Sequence, residues 1–429
     1  MITSGEHALS FLKELSFPRT SGSDKEHLAA EMIRKEIQTT GFEPVLEPFT
    51  VSRQVPVAAT FRLTEPEEIT YTVTGLIDAA PTSPEGDNAD FYYIKNIDEI
   101  SLREARDKFV LVNDRLGERD YEKLAKAGIR GILLMSGSIR DTDENSDLDT
   151  QRFRDSWKTY GSVPGFTIRI KDALDLLKRN PKRVHYSLQL ENETVTSYNI
   201  VVNVPGTDLA EEVIAVGAHY DSTRFSYGAW DNGAGVVRVL ALLSHLSVHP
   251  PRRSVKALFF GSEEAGLKGS HAYLTAHPEL QDSLLAMINI DVGGSYLGKE
   301  FVAVTGTPNA EHYVEGLLKE GGHSAAISSK VMSSDSIVFS DYGIPAIFFG
   351  QFPPAGGGYM HTRYDDISLI SADVLGEEIR FLLFLSDRLT QAESFPIERT
   401  IPKELQDKII EYFGSGLSLT EKRQKQNPQ

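Results

Sequence analysis

The residues Val213-Ile214-Ala215-Val216-Gly217-Ala218-His219-Tyr220-Asp221-Ser222, followed by Trp230-Asp231-Asn232-Gly233-Ala234-Gly235-Val236-Val237-Arg238-Val239-Leu240, decide the fold. Val213–Val216 is a short apolar, largely β-branched run bounded by Gly217, the pattern of a buried strand. His219 and Asp221 fall just past its carboxyl end and, at period two, face the same way. Asp231 and Asn232 precede small residues and an apolar helical run through Val237, Leu240, Leu243 and Leu246, which sets Asp231 near a helix N-terminus. Taken alone, this also describes an ordinary strand followed by a capping aspartate. The neighbouring segments discriminate.

Downstream, strand-like runs at Val255–Phe260, Met287–Ile290, Phe301–Val304 and Ala346–Phe349 alternate with helical stretches, the last of them Ala372–Leu389; Ile200–Val204 precedes the set. Such alternation predicts an α/β fold with a doubly wound, mostly parallel sheet, whose ligands gather at the carboxyl ends of the strands. Upstream, Ser23-Asp24-Lys25-Glu26 matches a capping box, and Leu28, Met32, Ile33 and Ile37 follow at helical spacing until Gly41, predicting a structural opening helix. From Val55 the texture changes. Phe61–Leu63, Thr70–Val73, Tyr92–Ile94 and Phe109–Val112 are short strand-like runs divided by Pro and Gly; a helix over Asp120–Ala127, a strand over Gly131–Met135 and a helix over Lys171–Leu177 follow. Four segments result: 1–54 as the first part of the main domain, 55–193 as an inserted β-rich domain, 194–395 as the main part, and 396–429 as a charged tail.

The chain has 429 residues, 40% of them hydrophobic, enough for a large core and more than one domain. Its formal net charge of −17 argues against nucleic acid or an anionic membrane as the main partner and favours cationic or metal ligands. With no cysteine, any zinc must be held by histidine and carboxylate. Met1–Leu15 has no apolar leader region and no run reaches membrane-spanning length, so a cytoplasmic protein is expected, a secreted mature form being the alternative.

The other strand ends carry the same chemistry. Ala257–Phe260 runs into Gly261-Ser262-Glu263-Glu264-Ala265-Gly266-Leu267, Met287–Ile290 ends in Asp291, and Ala346–Phe349 leads through Gly356-Gly357-Gly358 to His361-Thr362-Arg363-Tyr364-Asp365. Each residue alone would be a cap or a solvated loop residue, as His245, His271 and His277 are taken to be. Together, nitrogen and oxygen donors with several acids suit two divalent ions a few ångströms apart, bridged by one carboxylate. Asp231 is placed to bridge; His219 with Asp291 would complete one metal, and Glu264 with His361 the other. Glu263 remains free to act as general base, and Asp221 and Asp365 are candidates to accept the second imidazole N–H of a ligand histidine.

At these residues the chain resembles the co-catalytic dizinc aminopeptidases of the aminopeptidase Y and bacterial leucyl aminopeptidase type, relatives of glutamate carboxypeptidase and glutaminyl cyclase. The motifs are Gly217-Ala218-His219-Tyr220-Asp221-Ser222, Asp231-Asn232-Gly233-Ala234-Gly235, Glu263 to Ser270, Asn289-Ile290-Asp291, Gly343-Ile344-Pro345-Ala346 and His361-Thr362, in that family's order. The resemblance implies two zinc ions per chain held by His219, Asp231, Glu264, Asp291 and His361, Glu263 and Asp221 in catalytic roles, and peptides with a free N-terminus as substrates. It also implies a protease-associated domain over 55–193. One departure is Ser334-Asp335-Ser336, where the family commonly has Ser-Asp-His.

Other chemistries fail on spacing. Gly293 to Lys299 starts like a phosphate loop, but Glu300 stands where Ser or Thr is needed. No Gly-x-Ser-x-Gly occurs. Asp141-Thr142-Asp143-Glu144-Asn145 begins like a calcium loop, yet Ser146 replaces the turn glycine and Arg152 the bidentate glutamate. The remaining alternatives share the scaffold: a carboxypeptidase, for which Arg224 or Arg363 would bind the substrate carboxylate, a glutaminyl cyclase, or a catalytically inert binding protein.

Overall fold

The computed structural model describes residues 1–113, 116–137, 141–142, 148, 151–353, 359–414 and 418–426. The glycine run Gly356-Gly357-Gly358 and the acidic residues Asp143 to Ser146 lie outside them. The chain divides into two compact units, one made of Met1–Val51 and Val195–Gln429 and the other of Ser52–Thr194.

In the larger unit the strands run in the order Ala326–Ser329, Lys299–Thr305, Ala346–Phe352, Leu284–Ile290, Leu209–His219, Arg253–Phe260 and Ile200–Val204, the last being the end of the long strand Arg183–Val204. Leu209–His219 is parallel to both of its neighbours, Arg253–Phe260 and Leu284–Ile290, and the latter is parallel to Ala346–Phe352. Lys299–Thr305 and Ile200–Val204 join antiparallel, so the sheet is mixed around a parallel centre. Alternate residues feed two cores. Ile214, Val216 and Ala218 bury against Leu12, Ile33, Leu240 and Leu385 on one face, while Val213 and Ala215 share a cluster with Tyr273, Val338 and Leu405 on the other. Burial of each such aliphatic side chain contributes roughly 1.5–3 kcal/mol, which explains why helix Ala234–Leu246 is apolar almost all round: it lies under helices Gly5–Leu15 and Ala372–Thr390 as well as on the sheet.

Several expectations change in detail. Gly217 does not end its strand, which runs on to His219; a side chain at Gly217 would meet the Phe260 ring at 2.7 Å and Leu258 O at 2.9 Å, so only glycine fits between the neighbouring strands. The helix Asp24–Gln38 buries Glu26, Ala29, Ala30, Ile33 and Ile37, whereas Leu28 is 45% exposed. The expected charged tail contains helices Lys403–Phe413 and Leu419–Gln426; Leu405 and Ile409 bury into the second core, and Asp341 accepts hydrogen bonds from Leu419 N and Thr420 N.

In the smaller unit Asp87–Ile94, Lys108–Val112, Gly131–Ser136 and Gly165–Arg169 are parallel neighbours in chain order. Helices Glu99–Ala105 and Glu118–Ala127 cross between them, so this unit is itself α/β rather than simply β-rich. Its core centres on Phe109, packed against Phe61, Phe166 and Tyr186.

Candidate metal centre

Parallel register brings the chemistry to one edge of the larger unit's sheet. His219 pairs with Phe260, and Gly217 with Asn289, so His219, the turn at 261–264 and Asp291 leave adjacent strands at the same level. Asp291 N donates to Phe349 O at 2.9 Å, which extends the ladder toward the strand whose continuation carries His361.

There the side chains form two clusters that share Asp231. His219 Nε2 lies 3.1 Å from Asp231 Oδ1 and 3.3 Å from Asp291 Oδ1. His361 Nε2 lies 3.2 Å from Asp231 Oδ2 and 3.1 Å from Glu264 Oε2. Donors at about 2.0–2.1 Å from one tetrahedral ion stand ~3.3 Å apart, so these separations match the edges of a zinc polyhedron. The donor set of nitrogen and oxygen suits the ion, and Glu264 Oε1 is buried without a hydrogen-bond partner, an acceptor that a cation would satisfy. Five residues expected as ligands therefore converge: His219, Asp231 and Asp291 in one group, Asp231, Glu264 and His361 in the other.

The field of the cluster seeks positive charge. Burial pulls the His219 imidazole down, but the Asp291 charge, with hydrogen bonds from the imidazole to Asp221 and Asp231, holds it well above its ordinary range; His361 is likewise raised, against its burial, by Glu264 and Asp231. Burial raises Asp231, and its contacts to His219 and His361 outweigh this and hold it low. Burial above all, with Glu264, Asp335 and Asp291 adding and His219 opposing, pushes the Glu263 carboxyl well up. A carboxylate so placed takes up a proton readily, as a general base must.

The supporting residues differ from expectation at one point. His219 Nδ1 faces Asp221, 3.5 Å from Oδ1 and 3.3 Å from the main-chain O. Asp221 also accepts from Glu263 N at 2.9 Å and Glu264 N at 3.2 Å, so it shapes the turn bearing both glutamates. Asp365, expected beside an imidazole, instead accepts from Trp230 N at 2.7 Å, Asp231 N at 3.2 Å and Ser226 Oγ at 3.0 Å. The reason is that the loop before Asp231 is buried and its amides need acceptors.

Residues not expected to act there complete the centre. Asn232 donates to Ile290 O at 2.8 Å and accepts from Gly235 N at 3.0 Å and Val292 N at 3.1 Å, tying the start of the helix to the strand end that carries Asp291. Arg19, fully buried, donates to the carbonyls of Leu15, Phe17, Tyr220, Tyr227 and Gly228 and so closes the loop between His219 and Asp231; burial, opposed by Asp365 and Asp221, lowers it to about 10. Asp335 is buried and burial raises it to about 7; its neighbours Ser334 and Ser336 share a 2.6 Å hydroxyl contact. Glu26 had a legible signal: an acid in the stripe Glu26, Ala29, Ala30, Ile33, Ile37 cannot be a surface residue.

Residues 199–384 match the model of peptidase family M28. The chain is 29% identical over 204 residues to a vacuolar membrane protease of Candida glabrata, which is 44% of this chain and 21% of that protein. It thus spans about a fifth of that relative's length. It is 25% identical over 330 residues to human carboxypeptidase Q, covering 72% of this chain and 68% of that one. The fold superposes with a TM-score of 0.73 on BSAP, a zinc aminopeptidase from Bacillus subtilis, at 21% identity, over 94% of this chain and 99% of that chain.

These matches correct the expectation of a cytoplasmic protein, because relatives of this domain are named for the vacuolar membrane. The expectation rested on missing apolar segments, and a missing segment carries no address; among the described residues no helix is long and apolar enough to cross a membrane. The parallel strands that deliver acids and histidines to one sheet edge lie within residues 199–384, the same stretch that matches the model of peptidase family M28.

Proposed function

We propose that this chain is a zinc-dependent aminopeptidase that hydrolyses the N-terminal peptide bond of peptides. The observation that carries the reading is Asp231, which offers one carboxylate oxygen to each histidine and so links two three-residue donor groups. His219, Asp231 and Asp291 would hold one zinc ion, and Asp231, Glu264 and His361 a second. Bound there, the ions supply Lewis acidity toward the scissile carbonyl and acidify water.

Glu263 takes the proton of the attacking water and returns it to the leaving amine. Its raised proton affinity favours the uptake, and Asp221, through the amides of Glu263 and Glu264, holds the carboxylate in place. The acids of the site orient the cationic α-amine, and the net charge of −17 draws such a terminus in while giving nucleic acid no attraction. The proposed partners are therefore peptides with a free N-terminus. In the same reading the smaller unit serves as a protease-associated domain.

Metal analysis of the dialysed protein, run beside turnover of matched free and N-acetylated peptides, tests this. Two zinc ions per chain and loss of turnover on acetylation are expected. Equal turnover of both peptides would move the reading to a carboxypeptidase, the second reading, which the likeness to carboxypeptidase Q favours. No metal and no turnover would leave a binding protein.

A further inference from the structure

The turn that carries Glu263 and Glu264 is held by an acid from helix Asp24–Gln38. Glu26 is fully buried, and as the last member of a capping box it would turn back to Ser23 N. It does not: Ser23 N donates to Thr20 O. Glu26 Oε2 accepts instead from Gly22 N at 2.6 Å, and Oε1 accepts from Ser197 Oγ at 2.9 Å, Ser262 N at 3.0 Å and Ser262 Oγ at 3.2 Å. Ser21 Oγ and Ser262 Oγ are a further 2.6 Å apart.

Ser262 has φ +56°, the left-handed region, which a serine adopts only under constraint. The next two amides, of Glu263 and Glu264, donate to Asp221. Three consecutive amides are thus fastened to two buried carboxylates. Rotation of the first peptide would swing the Glu263 side chain, because nothing but the backbone connects them. A buried acid is an expensive way to fill space, and an apolar residue would serve a purely structural need better.

We propose that Glu26 is a positioning residue for the base: by holding the amide and hydroxyl of Ser262 it sets the direction in which Glu263 presents its carboxylate. This rests on the reading of Glu263 as the general base. The substitution Glu26→Gln preserves shape but leaves one acceptor too few. It should lower kcat roughly 10- to 10²-fold, the size expected from a misplaced group, with KM within about twofold and zinc content unchanged. Ser262→Gly is the second variant. Glycine accepts the left-handed backbone, so the fold should tolerate it, while loss of the hydroxyl should lower kcat by a smaller factor of about 3 to 10.

A Glu26→Gln enzyme with unchanged kcat and only a lower melting temperature would overturn the proposal. So would one that has lost its zinc, which would place Glu26 behind Glu264 instead. If Glu26→Gln does not fold, Ser262→Gly decides: normal kcat overturns the proposal and reduced kcat supports it. Glu263→Gln, assayed alongside, separates the two levels. Normal turnover there removes the base assignment itself, whereas a dead Glu263→Gln beside a normal Glu26→Gln removes only the role given to Glu26.

Discussion

The two units bend their chains with different residues. Among the described residues of the smaller unit, the non-glycine positions with positive φ are Asp78, Asp107 and Asn180, types that enter the left-handed region readily. In the larger unit they are Ser262, Leu267, Val292 and His361, and a β-branched valine there is a genuine outlier. Both units are built around parallel strands joined by helices, so the architecture does not explain the contrast. Its location does. Ser262 precedes Glu263, Val292 follows Asp291, and His361 is itself in the cluster. Such strain, on the order of 1–3 kcal/mol per residue, persists only where surrounding bonds over-determine it. Here those bonds come from buried polar groups: Glu26 on Ser262 N, Asn232 on Val292 N, and Arg238, which donates to Val292 O at 3.3 Å. One unit turns cheaply because its turns only have to connect; the other holds its turns in costly shapes because they aim side chains.

Substitutions in each unit test the contrast. The largest effect is expected from Glu263→Gln, which should lower kcat about 10²–10⁴-fold while melting temperature and zinc content stay as in the natural chain. Steady-state kinetics beside metal analysis checks it. Next comes Asp231→Asn, whose amide nitrogen cannot accept; zinc affinity in a chelator competition should fall at both positions together, since both groups use this residue. Loss of one ion alone would show that Asp231 does not bridge. In the smaller unit Phe109→Ala empties the aromatic core and should cost about 3–5 kcal/mol in denaturant unfolding, yet leave zinc per folded chain unaltered, because every donor belongs to the larger unit. The smallest effect is expected at Asp107→Gly on an exposed turn, within about 0.5 kcal/mol and with unchanged kcat. A large loss of activity there would erase the distinction between connecting and aiming turns.

Much of the fold was legible because its signals are local. Val213–Val216, Val255–Phe260 and Met287–Ile290 read as buried strands from composition and length, and each is a strand of the parallel centre. What misled was also local in origin. Ser23-Asp24-Lys25-Glu26 has the letters of a capping box, and Ser23 does accept from Glu26 N at 3.1 Å, but the carboxylate answers a distant amide. Leu28 looked like part of the apolar stripe and lies exposed, since which face of a helix is buried depends on what it packs against. Asp365 sits near a histidine in sequence and serves backbone amides in space.

The alternation of strands and helices, the absence of thiolate ligands, and which acids and histidines follow strand ends are all legible along the chain, because hydrophobic period and residue chemistry are properties of short segments. Long-range packing is what makes Asp231 face both histidines, Asp221 take the amides of both glutamates, and Arg19 and Glu26 fasten the loops of the centre. Those outcomes depend on strand register and on where buried amides and carbonyls find partners. Such pairings form between segments far apart in the chain, and no local pattern encodes them.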